Sequence, residues 1–350
     1  MNTTKTDIVS KTVLSGMTLP QMEEFIVLHG EPAFRAKQLH YWLYRKHAKD
    51  FDSMSNLSKS FRENLNNIAV ITDTKIKQKQ VSRDGTIKYL LEFADGNVVE
   101  TVLMSYDKRP NLTACVSTQV GCAIGCAFCA TGKKGFIRNL KAQEIVDQIL
   151  TIQRDTGKTV TNIVYMGQGE PLLNYEETKK SLLILNEDLE IGMRRITVST
   201  SGIVPRIYDM AEINRQLVVA LSLHAPDHEL RKQLIPIEEK YPLDEVIKAL
   251  KYYADHTKRR VTIEYILIDG LNDSIEQAEK VNRLLKGLKY NINLIPYNPI
   301  WASEFKKPSP ERINKFKAVL EKTNASVTVR LERGADIAAA CGQLAGECKP

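Results

Sequence analysis

At 350 residues the chain has room for one large domain and one small one, and its composition is that of an ordinary globular protein. It has no apolar run of about 18 residues, which argues against a membrane-spanning helix, and its polar start, Met-Asn-Thr-Thr-Lys-Thr-Asp, is not a secretory signal. The formal net charge of +7 is a mild basic excess, too weak on its own to name a polyanionic partner.

Residues 18 to about 70 read as helical. Leu19, Met22, Phe25 and Ile26 keep helical spacing, as do Ala36, Leu39, Trp42 and Leu43 among Arg35, Lys37, Arg45 and Lys46. A small helical domain over 1–73 is expected, acting either as a packing cap or as an RNA-docking appendage. From about 74 the pattern turns to short extended runs, Ile76–Val81, Ile87–Phe93 and Val98–Met104, with turns at Asp84-Gly85 and Asp95-Gly96. These predict a β-hairpin extension over 74–107. Glu100 is the one acid in the last run, and in a half-exposed strand such a residue is ordinarily a surface group.

From Leu112 onward strands and helices alternate. Strands are expected at Thr113–Ser117, Asn162–Met166, Arg195–Ser199, Leu217–Leu223, Val261–Ile268, Ile292–Ile295 and Ser326–Arg330. Helices are expected at Ala142–Thr156, Glu176–Asn186, Leu243–His256, Ile275–Leu288 and Pro310–Thr323. Such units build a parallel sheet through right-handed connections. The predicted fold class is α/β, a full or partial (β/α) barrel over 108–334, followed by a C-terminal loop over 335–350. In barrels of this kind the chemistry sits on the loops after the strands. Gly167-Gln168-Gly169-Glu170-Pro171, Ser199-Thr200-Ser201-Gly202, Ser222-Leu223-His224-Ala225, Pro296-Tyr297-Asn298-Pro299 and Gly334–Cys341 all fall there. Basic residues gather in Lys133–Lys141, Arg194-Arg195, Lys258-Arg259-Arg260 and Lys306-Lys307, with Phe136 and Trp301 nearby, which favours contact with a phosphate backbone.

Three of the six cysteines stand in one short stretch, Cys122-Ala123-Ile124-Gly125-Cys126-Ala127-Phe128-Cys129. Without a secretory signal, thiols this dense read as metal ligands in a reducing cytoplasm rather than as disulfides. A structural zinc wants four protein ligands, and none follows closely after Cys129. A cubane iron–sulfur cluster on three thiolates would keep one iron open. Zinc with a distant fourth ligand and buried structural thiols remain the alternatives. The spacing resembles that of radical S-adenosylmethionine (SAM) enzymes, in which the open iron of a 4Fe-4S cluster is chelated by SAM.

Two further cysteines sharpen the resemblance. Cys115 precedes the triplet, and Cys341 lies in Asp336-Ile337-Ala338-Ala339-Ala340-Cys341-Gly342-Gln343-Leu344-Ala345-Gly346. With Gly169–Asn174 and Ser222–Pro226, these residues resemble the RlmN/Cfr family over essentially the whole chain. The resemblance implies methylation of C2 of an adenosine in 23S rRNA and of the adenosine beside the tRNA anticodon. It implies two SAM molecules per turnover and an external electron donor such as flavodoxin. Cys122, Cys126 and Cys129 would hold the cluster. Gly169, Glu170, Ser199, Ser222, Leu223, His224 and Asn298 would hold SAM, with Gln168 standing where the family pattern has Met. Cys341 would become S-methylcysteine, and Cys115 would resolve the RNA adduct through a transient disulfide. Glu100, or Cys115, would take the C2 proton. No role follows for Cys348, read as a free thiol on a loose tail. A monomer in the cytoplasm is expected. The competing readings are C8 methylation, a radical SAM enzyme that activates another protein, and a zinc-bearing RNA-binding module.

Overall fold

The computed structural model describes residues 11–106, 109–213, 216–301, 303–323 and 325–346. Cys348 lies outside the described residues.

The N-terminal segment forms helices α1 (Leu19–Leu28), α2 (Phe34–Tyr44) and α3 (Lys59–Ile68). Thr18 and Gln21 close α1 with a reciprocal capping box, and Pro20 sits in its first turn, where a missing N–H costs nothing. Met22, Phe25, Leu39, Leu43, Phe61 and Leu65 are buried, so the predicted apolar stripes do form the packing face. Two short strands, β1 (Thr12–Val13) and β2 (Ala69–Val70), pair in parallel and bring the segment's ends together. The segment is fastened to the rest of the chain by buried Asp147, whose carboxylate accepts hydrogen bonds from Ser15, Thr72 and Arg154.

Strands β3 (Lys75–Val81), β4 (Ile87–Glu92) and β5 (Val98–Tyr106) form the expected antiparallel hairpins. Gly85 and Gly96, both at positive φ, close their turns. β5 then pairs across the expected domain boundary with β6 (Arg109–Cys115), Val102 opposite Cys115. The hairpins and the parallel strands therefore share one sheet. Its seven parallel strands are β6, β9 (Asn162–Tyr165), β10 (Ile196–Thr200), β11 (Val218–Ser222), β12 (Val261–Leu267), β13 (Tyr290–Pro296) and β14 (Ser326–Val329). Among the described residues the order is β14-β13-β12-β11-β10-β9-β6-β5-β4-β3, an open sheet and hence a partial barrel.

All seven predicted parallel strands are present within a few residues. The five predicted helices form as Ala142–Thr156, Tyr175–Glu187, Leu243–Thr257, Ile275–Leu284 and Pro310–Leu320. Three shorter helices, Ala130–Lys134, Val204–Ala211 and His228–Leu234, were not anticipated, because each is too short to display a clear period. The hairpin β7 (Gln119–Gly121) with β8 (Phe136–Asn139) was also missed. It closes the base of the loop that carries the three cysteines.

Candidate active site

The cysteine loop leaves the end of β6 and is fixed at its root by the β7–β8 hairpin. Gly121 has φ +76°, and a Cβ there would stand 1.9 Å from the Gly135 carbonyl oxygen, so only glycine lets the strands close. The loop after β9 packs on the same root. Gly169 (φ +99°) would place a Cβ 2.6 Å from Gln119, and the Glu170 N–H donates to the Gln119 side chain at 2.9 Å. Cys122, Cys126 and Cys129 thereby line one cavity of about 160 Å³ together with Gly169, Glu170, Ser199, Ser222 and His224. Most of the sequence-predicted residues thus meet in one place.

Burial pushes the Cys122 thiol up to about 12 and Cys126 well above the ordinary thiol range, with neighbouring thiols adding repulsion. Thiolates here need a strong positive partner. Among the described residues no three His, Cys, Asp or Glu side chains converge on a single metal ion. A cubane takes one thiolate per iron, and Cys122, Cys126 and Cys129 line one cavity with no fourth thiol beside them in its lining except Cys341. The donor set fits an iron–sulfur cluster.

His224 adopts φ +58°. Its Nδ1 accepts the Ile266 N–H at 3.0 Å, which assigns the proton to Nε2. Its ring stands edge-on to Phe128, centroids 4.8 Å apart. Burial and nearby Arg231 push its pKa down to about 3, so the ring is neutral and offers a donor at Nε2. The Glu170 carboxylate is buried and is held by Ser201 N–H (2.7 Å), Ser201 Oγ (2.8 Å) and Leu172 N–H (3.0 Å). Burial raises its pKa against the pull of these donors. Ser199 and Ser222 face each other across β10 and β11, Oγ to Oγ 3.4 Å.

Two predicted SAM residues are placed differently. Leu223 is fully buried and does not line the cavity, and its N–H donates to the Glu264 carbonyl at 3.0 Å. Asn298 lines a second cavity and donates to the Cys341 carbonyl at 3.0 Å. That second cavity, about 640 Å³, is lined by Cys115, Met166, Arg330 and Cys341. Cys341 also lines the first, so it stands where the two meet. Burial first, and then the proximity of Cys341, push the Cys115 thiol up to about 12. Glu100 is not the half-exposed strand residue expected. It is 1% exposed, because the C-terminal loop lies over it.

Sequence reasoning missed three charged groups. Arg231 is fully buried and pairs with buried Glu238. It donates to the carbonyls of Ser201 (2.6 Å), Ser222 (3.1 Å) and Leu223 (3.1 Å), tying together the loops after β10 and β11. Arg330 brings Nη1 within 3.8 Å of Cys341 Sγ and 3.7 Å of Met166 Sδ. Glu264 holds that guanidinium from 3.6 Å and is itself steadied by Asn293 at 2.9 Å. A lone Glu inside the apolar run Val261–Leu267 was the one available signal. One predicted basic contact is also spoken for: Arg138 pairs with Asp95 and with Glu144 through both ends of its guanidinium.

A partial (β/α) barrel with three loop thiols lining one cavity at the ends of its parallel strands is the arrangement of a radical SAM enzyme. Residues 116–281 match the Radical SAM superfamily, and residues 12–71 match the ribosomal RNA large subunit methyltransferase N-terminal domain. A probable dual-specificity RNA methyltransferase RlmN of Thermoanaerobacter sp. (strain X514) is 50% identical over 334 residues, 95% of this chain and 97% of the relative. Its counterpart in Clostridioides difficile (strain 630) is 47% identical over 337 residues, with the same shares. A radical SAM methyltransferase from Sphaerobacter thermophilus, solved by crystallography, superposes with a TM-score of 0.92 at 47% identity, covering 96% of this chain and 100% of that one. The chain belongs to the RlmN family of radical SAM RNA methyltransferases. It is a SAM-dependent enzyme acting on RNA, and membership implies an iron–sulfur cluster. Among the described residues no helix is long and apolar enough to cross a membrane.

Proposed function

We propose that this enzyme methylates C2 of an adenosine in 23S rRNA, and C2 of the adenosine 3′ to the tRNA anticodon, through a methyl group carried on Cys341. The observation that carries the reading is the position of Cys341 at the junction of two cavities, one shared with Cys122, Cys126 and Cys129 and the other with Cys115.

C2 of adenine is electron-poor and bears hydrogen, so it cannot attack a methyl sulfonium directly. When bound, the 4Fe-4S cluster and two SAM molecules per turnover supply a methyl donor and a hydrogen-abstracting carbon radical, with a flavodoxin-type protein providing the electron. Gly169, Glu170, Ser199, Ser222 and His224 hold SAM, Leu223 packs behind them in the core, and Asn298 holds the carrier loop. Arg330 Nη1, 3.8 Å from Cys341 Sγ, orients the sulfur that accepts the first methyl group. The methyl carbon of Cys341, less one hydrogen, bonds to C2. The adduct gives up one electron, which the cluster would take back when bound, and the C2 proton, which Glu100 or Cys115 takes. Cys115 then bonds to the Cys341 sulfur as the carbon–sulfur bond breaks, and the freed carbon takes a proton to become the product methyl group. Residues 1–73 dock the RNA, 74–107 brace the site, 108–334 form the catalytic core and 335–350 carry the methyl group. The enzyme works as a cytoplasmic monomer.

The test is nucleoside analysis of unmodified rRNA and tRNA fragments after reaction with reconstituted enzyme, SAM and reductant. 2-Methyladenosine is expected with wild type and is absent with Cys341→Ala. 8-Methyladenosine, or no methylated nucleoside from a protein with an intact cluster, refutes the reading.

A further inference from the structure

Lys88 and Glu100 are two charged residues facing inward from apolar strands. On β4 and β5, Leu90 lies opposite Glu100 and Lys88 opposite Val102, so the two are diagonal neighbours on one face. Both are buried, and Lys88 Nζ is 2.9 Å from Glu100 Oε1. Among the described residues, the remaining bonds of the two side chains go to the C-terminal loop. Glu100 Oε2 accepts the N–H groups of Ala345 (2.5 Å) and Gly346 (2.7 Å), and Lys88 Nζ donates to the Ala338 carbonyl at 3.3 Å. These anchor points bracket Cys341. Between them the loop is steadied by Ala130 N–H to Gly342 O at 2.8 Å and by Thr131 Oγ1 to Leu344 O at 2.6 Å.

We infer that the Lys88–Glu100 pair is a latch that seats the loop carrying Cys341 for methyl loading, which makes Glu100 a positioning residue in the RNA-independent half of the reaction. The inference rests on Cys341 being the methyl carrier. Both carboxylate oxygens are committed while the loop is down. Glu100 can therefore act on an RNA proton only after the loop lifts. Ion pairing alone would not require this placement, because a buried pair facing a closed strand would not spend its spare bonds on a distant segment. Charge-assisted bonds to backbone N–H groups are the strong kind, and losing them releases both sides of the loop together.

The experiment compares wild type with Glu100→Gln, Ala345→Pro and Lys88→Met in the full-length protein. Two readouts are taken without RNA: hydrogen exchange of residues 338–346, and methylation of Cys341 by mass spectrometry. Gln presents one acceptor and one donor, so either Lys88 or the two N–H groups lose their partner. Ala345→Pro removes one donor and leaves the carboxylate intact. All three variants are expected to lower protection of the loop amides by about tenfold or more and to slow loading by a similar factor. Unchanged exchange in Glu100→Gln and Ala345→Pro, with loading at the wild-type rate and only transfer to RNA lost in Glu100→Gln, overturns the latch and leaves Glu100 as a proton acceptor alone. If wild type never acquires a methyl group on Cys341, the carrier reading fails, and the exchange measurement still decides the latch by itself. Should Glu100→Gln not fold, Ala345→Pro and Lys88→Met carry both readouts.

Discussion

Arg231→Met is expected to damage the enzyme in two separable ways. The side chain is fully buried, as is its partner Glu238. Removing the guanidinium strands a buried carboxylate whose remaining contacts are the Leu243 N–H at 2.7 Å and His228 at 3.0 Å. Breaking a buried pair from one side costs about 3–5 kcal/mol, a large share of the ~5–15 kcal/mol that holds a domain together. Replacing both partners removes the stranded charge, so Arg231→Met with Glu238→Met should regain the part of the loss that the unpaired carboxylate causes. SAM affinity should not recover with it. The carbonyls of Ser201, Ser222 and Leu223 still lack their shared donor, and the loops after β10 and β11 loosen. Urea unfolding of the three proteins, with equilibrium dialysis of SAM on the reconstituted forms, reads the two effects. If the single variant unfolds like wild type, or the double variant binds SAM as tightly as wild type, the assignment of Arg231 as the tie between those loops is wrong.

Two other tests follow from buried titrating groups. His224 has a folded pKa of about 3 against an unfolded value near 6.5. Between those values the unfolded chain binds more protons, so the His224 contribution is fully present above about 6.5 and is lost as pH falls toward 3. The drop in urea midpoint of the cluster-free protein between pH 7 and pH 4.5 should shrink in His224→Gln, and an unchanged drop rejects a buried neutral ring. Cys115, with its thiol at about 12 and its side chain buried, should resist iodoacetamide in the native protein at pH 8, while Cys341, which is exposed, is alkylated. Peptide mass spectrometry reads this directly. Equal rates at the two cysteines would show Cys115 to be accessible and ionised.

Local pattern was enough for the alternation of strands and helices, the hairpin turns at Gly85 and Gly96, and the crowding of three thiols in one loop. Periodicity and spacing are properties of neighbours along the chain, and the loop glycines follow from steric limits that hold wherever they occur. Only the tertiary structure decided where Glu100 points, because its partners lie on two other segments, residue 88 on one strand and residues 345 and 346 in the C-terminal loop. Arg330, Glu264 and Asn293 likewise meet only because β12, β13 and β14 lie side by side, and Arg231 reaches three carbonyls only because two strands end beside its helix. Leu223 shares a motif with cavity residues, yet strand alternation turns its side chain into the core. Arg138 looks like a phosphate contact in sequence and is already paired in space. Charge placed by long-range contact leaves no local pattern to read, since each partner alone is an ordinary residue in an ordinary strand or loop.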